Sequence, residues 1–312
     1  MIISVSRRTD IPSYYSTWFF NRLKEGYAYV RNPMNPHQIS EISLSPDVVD
    51  GIVFWTKNPT PMLNSLDKLQ NYTYYFQYTL TPYGDDVEKN IPSKSNIIIP
   101  TFRKLSSLIG KERVVWRYDP ILFSDKYTLQ YHMQCFCRLC DKLADYTEKC
   151  TISFLDLYKN MQRNITPLGI RPLSYGQAEE LAGYFSEVAY EHGIYIDTCA
   201  ENMELDKYGI KHASCIDQDR LERIGNYKLD IERDKNQRDA CNCVSSIDLG
   251  AYNTCQNGCV YCYANFNQTL VNDCCKKHNP SSPLLYGEVG IDDIIRPRAM
   301  KSLRNDQISL FP

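Results

Sequence analysis

Short apolar runs rich in β-branched and aromatic residues recur along the first two hundred residues, each followed by polar punctuation and then by a longer amphipathic stretch. Read by period, these runs predict strands over residues 2–6, 51–56, 74–80, 114–118, 150–157 and 193–198. The stretches between them predict helices over 14–25, 61–68, 95–109, 129–146 and 175–192. In the last, Ser174 is placed to cap, and Leu181, Phe185, Val188 and Ala189 form one apolar stripe. Strand alternating with helix predicts an α/β fold, a TIM-like parallel βα barrel, full or partial. Residues 1–200 form its body.

Beyond residue 200 the pattern changes. Residues 201–240 are charged and helical or irregular, 241–275 are dense in cysteine, and the tail from 296 to 312 is basic and then apolar. Residues 201–312 are therefore expected to form a cysteine-rich region packed on the barrel. Ile247-Asp-Leu-Gly-Ala-Tyr252 reads as one more strand and 264–277 as the helix after it, so this region can complete the barrel. Polar strings fall where strands should end: Arg7-Arg8-Thr9-Asp10, Thr56-Lys57-Asn58-Pro59, Arg117-Tyr118-Asp119-Pro120 and Asp197-Thr-Cys-Ala-Glu201. In a βα barrel the C-terminal strand ends carry the reactive groups.

Composition narrows the classes. A net charge of −2 gives no electrostatic case for a nucleic-acid partner. No secretory leader or membrane-length apolar run opens the chain, which reads as cytoplasmic, with no membrane partner. In that compartment clustered cysteines are metal ligands or catalytic thiols more often than disulfides. His37, His132, His192, His212 and His278 show no HxxxH or HExxH spacing, and no GxSxG or P-loop string occurs.

The sharpest chemical signal is Cys255-Gln-Asn-Gly-Cys259-Val-Tyr-Cys262. Three thiolates cannot complete a four-iron cluster, so such a loop leaves one iron open to a small molecule. Gly258 suits a tight turn whose backbone approaches the sulfides.

CxxxCxxC with an aromatic before the third Cys resembles the signature loop of the radical S-adenosylmethionine superfamily, and Tyr263-Ala264 after it is closest to the spore-photoproduct-lyase-like branch. The resemblance implies a [4Fe-4S] cluster on Cys255, Cys259 and Cys262. It further implies S-adenosylmethionine on the open iron, and reductive cleavage to a 5′-deoxyadenosyl radical that abstracts hydrogen from substrate. An electron donor such as flavodoxin or ferredoxin follows, with a small molecule, nucleic acid or peptide as substrate. In that superfamily the loop follows the first barrel strand; its late position here implies a circularly permuted barrel. Taken whole, the chain resembles the bacterial domain-of-unknown-function family 1848, through Ser6-Arg7-Arg8-Thr9-Asp10, Phe54-Trp-Thr-Lys-Asn-Pro59, Arg117-Tyr-Asp-Pro120 and the terminal cysteines.

Cys199, Cys215, Cys241 and Cys243 form a second set, able to complete either an auxiliary [4Fe-4S] cluster or a structural zinc site. Cys135, Cys137 and Cys140 lie in a helical stretch and read as core packing. For the reaction itself, Lys57, Arg117 and Asp119 are the candidate catalytic residues. Tyr261, Arg7 and Asp10 are the candidate cofactor-binding residues. The competing reading is a zinc-binding barrel acting as a nucleic-acid or protein binding module, with Cys241, Cys243 or Cys274 as fourth ligand beside the loop.

Overall fold

The computed structural model describes residues 1–158, 161–238 and 240–305; the apolar end of the tail, 306–312, lies outside them. Its centre is a sheet of eight strands, all parallel: β1 (Ile2–Val5), β2 (Gly51–Thr56), β3 (Tyr74–Thr79), β4 (Val114–Ile121), β5 (Lys149–Phe154), β6 (Tyr195–Thr198), β7 (Lys211–His212) and β8 (Ile247–Asp248). The first six match the expected strands to within a few residues at either end. Across the sheet the order is β8-β1-β2-β3-β4-β5-β6-β7, so the strands lie in chain order once β8 is counted first. Ile3 pairs with Ile247 and Ser4 with Asp248 at that junction. Among the described residues β7 and β8 remain unpaired edges, so hydrogen bonds do not close the sheet into a ring.

Period two assigns the strand faces. Ile3, Val5, Ile52, Phe54, Phe76, Tyr78, Trp116, Tyr118 and Ile152 point outward into the main core against the helices. There Phe136, from the helix Leu129–Leu143, stacks on Phe185, from Tyr175–Glu191, at 3.8 Å. Ser174 caps the latter helix in a capping box with Gln177. Cys140 is buried in this core and Cys137 packs against it, as apolar residues would.

On the opposite face Ile2, Val53, Tyr75 and Val115 are covered by Leu221, Leu229 and Val244 from the C-terminal region. Gly51 lets this seam pack closely, since a Cβ there would meet Leu221 Cδ2 at 2.7 Å and push that side chain aside. Two and four residues further along each strand the same face turns polar: Ser4 and Ser6, Trp55 and Lys57, Gln77 and Thr79, Arg117 and Asp119. The apolar half is the floor and the polar half the working end.

A feature the hydrophobic pattern did not predict is the antiparallel pair Tyr27–Asn32 and Asn35–Ser43, extended by Ile294–Pro297 in parallel. It lies outside the main sheet. Among the described residues no helix is long and apolar enough to cross a membrane.

Candidate metal centre

Asp248, the last residue of β8, builds the approach to the cysteine loop. Its Oδ1 accepts from Ser6 Oγ at 2.6 Å and the Gly250 amide at 2.9 Å, and its Oδ2 accepts from Ser4 Oγ and the Arg7 amide, both at 2.8 Å. Gly250 passes so close that a Cβ would overlap Ser6 Oγ at 1.9 Å. The loop is then tied down from three sides. Tyr15 Oη donates to the Thr254 carbonyl at 2.6 Å and Tyr14 Oη to Asn257 Oδ1 at 2.8 Å. The Asn90 amide and side chain donate to the carbonyls of Asn257 and Gln256 at 3.1 and 2.7 Å. Gly258 sits at φ +66°, with Asn90 Nδ2 3.0 Å from where a Cβ would be.

Cys255, Cys259 and Cys262, each half-buried, line a cavity of about 670 Å³ at the C-terminal ends of the strands. Burial holds all three thiols up, Cys259 to about 12. Against that, the Asn257 amide faces Cys255, and the Ala264 and Asn265 amides face Cys262, both favouring the thiolate. A thiol bound to a metal cation is deprotonated outright, so three enclosed thiols with aligned N–H donors suit a cationic centre. By donor type, three thiols match the group that the loop implies.

Lys57 Nζ lies 2.6 Å from Glu88 Oε1 and 5.5 Å from the centre of the Tyr261 ring. Burial opposes its charge, but Glu88 and Cys259 outweigh this and hold the ammonium above its ordinary range. Glu88 also accepts from Lys94, Tyr261 Oη and Thr81 Oγ1. Burial raises its pKa, yet the two lysines dominate and bring it to about 2. Sequence reasoning missed Glu88, which sits in a turn-like string without a spacing signal.

Arg117 is buried at 3% exposure. Its Nε bonds Asp119 at 3.0 Å, its Nη1 reaches Cys215 Sγ at 2.9 Å, and its guanidinium lies 5.1 Å over the Trp55 ring. Burial opposes ionisation of Asp119, but Arg117 and the Ser153 hydroxyl hold its carboxyl below the usual range.

Asp10, Arg7 and Tyr261 also line the cavity. Asp10 accepts from the amides of Ser13 at 3.0 Å and Lys57 at 2.8 Å and from Asn257 Nδ2 at 3.1 Å, fastening the loop to the ends of β1 and β2. Arg7 lies 3.9 Å from Asp248 and 4.0 Å from Asp234. Tyr261 packs its ring against Tyr83. Thr9 and Trp55 line the cavity, and among the described residues their buried Oγ1 and Nε1 atoms have no hydrogen-bond partner. Each such orphan costs about 1–3 kcal/mol unless a bound molecule satisfies it.

Cys199, Cys215, Cys241 and Cys243 line this same cavity. Cys199 and Cys215 are 3.1 Å apart, and the hydrogen bond from Cys243 brings Cys241 down to about 7. Cys274 is not among the lining residues and interacts with Tyr286 instead. Among the described residues no group of three or more His, Cys, Asp or Glu side chains stands in ready coordination geometry.

No curated protein and no solved structure matches the chain. The profile of the family described as Domain of unknown function (DUF1848) matches residues 2–264, and the chain belongs to that family.

Proposed function

We propose that the protein is a radical S-adenosylmethionine-type iron–sulfur enzyme. The observation that carries this reading is the convergence of Cys255, Cys259 and Cys262 on the lining of one large, partly polar cavity, from which Cys274, hydrogen-bonded to Tyr286, is absent. When bound, a [4Fe-4S] cluster on these thiols supplies the electron that cleaves S-adenosylmethionine to a 5′-deoxyadenosyl radical. A cavity of about 670 Å³ lies within the size range of small-molecule sites.

The chain's own residues then divide the work. Asp10, Asn257, Asn90 and Glu88 fix the loop. The Lys57 ammonium sets a positive charge beside Cys259, offsetting the negative charge of three thiolates. Arg117 and Asp119 line the wall on the side of Cys199 and Cys215. Strand order supports reading the sheet as a permuted, partial form of the superfamily barrel, with β8 in the first position.

The test is anaerobic reconstitution followed by dithionite and S-adenosylmethionine. Formation of 5′-deoxyadenosine is expected. An intact cluster that forms none overturns the reading, and protein that takes up zinc alone supports a zinc-binding module instead.

A further inference from the structure

We infer that Cys199, Cys215, Cys241 and Cys243 hold a second metal centre, ligated by four thiolates and facing the first across the shared cavity. The four come from three separate stretches: the residue after β6, the segment after β7, and the approach to β8. Only the fold brings them together. Cys199 contacts Cys215 at 3.1 Å, Cys215 hydrogen-bonds Cys243, and Cys243 hydrogen-bonds Cys241. Cys215, Cys241 and Cys243 are buried.

Apolar packing accounts for buried cysteines in general. It does not account for what points at these sulfurs. Arg117 Nη1 donates to Cys215 Sγ at 2.9 Å, and the Ile216 amide donates to Cys243 Sγ at 3.3 Å. A buried guanidinium is costly unless it faces negative charge. Asp119 takes one edge of Arg117, while the other edge is spent on Gln77 and a sulfur. N–H donors converging on sulfur are what a thiolate-bound centre uses to set its charge and potential.

The spacing shows what loading requires. Two thiolates on one tetrahedral zinc stand about 3.8 Å apart, given Zn–S bonds of about 2.3 Å, and those on an iron–sulfur cube stand further apart. The 3.1 Å between Cys199 Sγ and Cys215 Sγ is shorter than either. Loading a metal therefore requires these two sulfurs to move apart. With four protein ligands the centre has no vacant position for a substrate: as zinc it is structural, and as an iron–sulfur cluster it carries electrons beside the substrate space.

The experiment uses full-length, anaerobically purified C255A/C259A/C262A protein, in which the loop cannot bind. This variant is expected to retain one metal centre per chain: zinc without sulfide, or about four iron with about four sulfide. Adding C215S and C243S is expected to abolish it. Iodoacetamide labelling of the wild-type protein in mild urea, with and without chelator, gives a readout that needs no variant to fold; the four cysteines are expected to be protected until chelator is added. A loop variant devoid of metal, or equal labelling with and without chelator, overturns the proposal. Because 5′-deoxyadenosine formation plays no part here, failure of this inference is distinct from failure of the enzymatic reading.

Discussion

The Lys57 ammonium lies 2.6 Å from Oε1 of Glu88, and the same carboxylate takes the hydroxyl of Tyr261 from within the cysteine loop. One buried side chain thus couples the lysine of the cavity to the loop that opens on it. Backbone bridging of Glu88 to Cys259 strengthens the coupling. Replacing Glu88 with Ala strands Lys57 and Lys94 as buried charges without their partner. The expected cost is about 3–5 kcal/mol, seen as a lower urea midpoint, together with less iron retained after gel filtration. An unchanged midpoint contradicts this role.

Lys57→Met removes the charge while keeping most of the volume. If the ammonium supports the loop centre and its ligand, 5′-deoxyadenosine formation falls roughly tenfold or more, the loss of one charged hydrogen bond. Iron content is expected to change far less. Equal loss of iron and activity would assign Lys57 to cluster retention alone.

Gly258→Ala tests the shape of the loop. An alanine at φ +66° costs about 1–2 kcal/mol, and its Cβ would press on Asn90 Nδ2 at 3.0 Å. Cluster occupancy after reconstitution is expected to drop, with global stability falling by no more than that amount.

His132 supplies a pH signature remote from the cysteines. Its Nδ1 meets Tyr118 Oη and its Nε2 the Leu122 carbonyl, both at 2.8 Å, and burial lowers its pKa to about 4. The unfolded chain, with an ordinary value near 6.5, binds the extra proton between pH 6.5 and 4. This contribution to stability is therefore complete above pH 6.5 and declines as pH falls toward 4, by about 3 kcal/mol in all. Urea unfolding at pH 7 and pH 4.5 measures it, and His132→Gln is expected to remove most of that slope.

The strands were legible because their two faces carry different instructions. Phe54 and Trp116 needed only an apolar core, while Lys57 and Arg117, three and one residues later, fall on the polar face of the same runs. The cysteine loop was legible from its spacing, and Cys199, Cys215, Cys241 and Cys243 could be grouped as a set from their place in one half of the chain, but their contact comes from the fold. Glu88 was not, because its importance comes from partners at Lys57, Lys94 and Tyr261 that only the fold assembles. The pair Tyr27–Asn32 and Asn35–Ser43 escaped for a different reason: its positions are mostly half-exposed and polar, so little hydrophobic alternation marks it. Asp10 illustrates a subtler gap. Its place at the cavity was readable, but its bonds to Ser13, Lys57 and Asn257 were not.

The most direct test of the central claim is paramagnetic resonance of the dithionite-reduced protein before and after S-adenosylmethionine is added, using C215S/C243S protein so that only the loop centre reports. A four-iron signal whose g values shift on addition is the predicted result, and it disappears in C255A/C259A/C262A protein. A signal indifferent to S-adenosylmethionine, or no iron signal in protein that has bound zinc, contradicts the account.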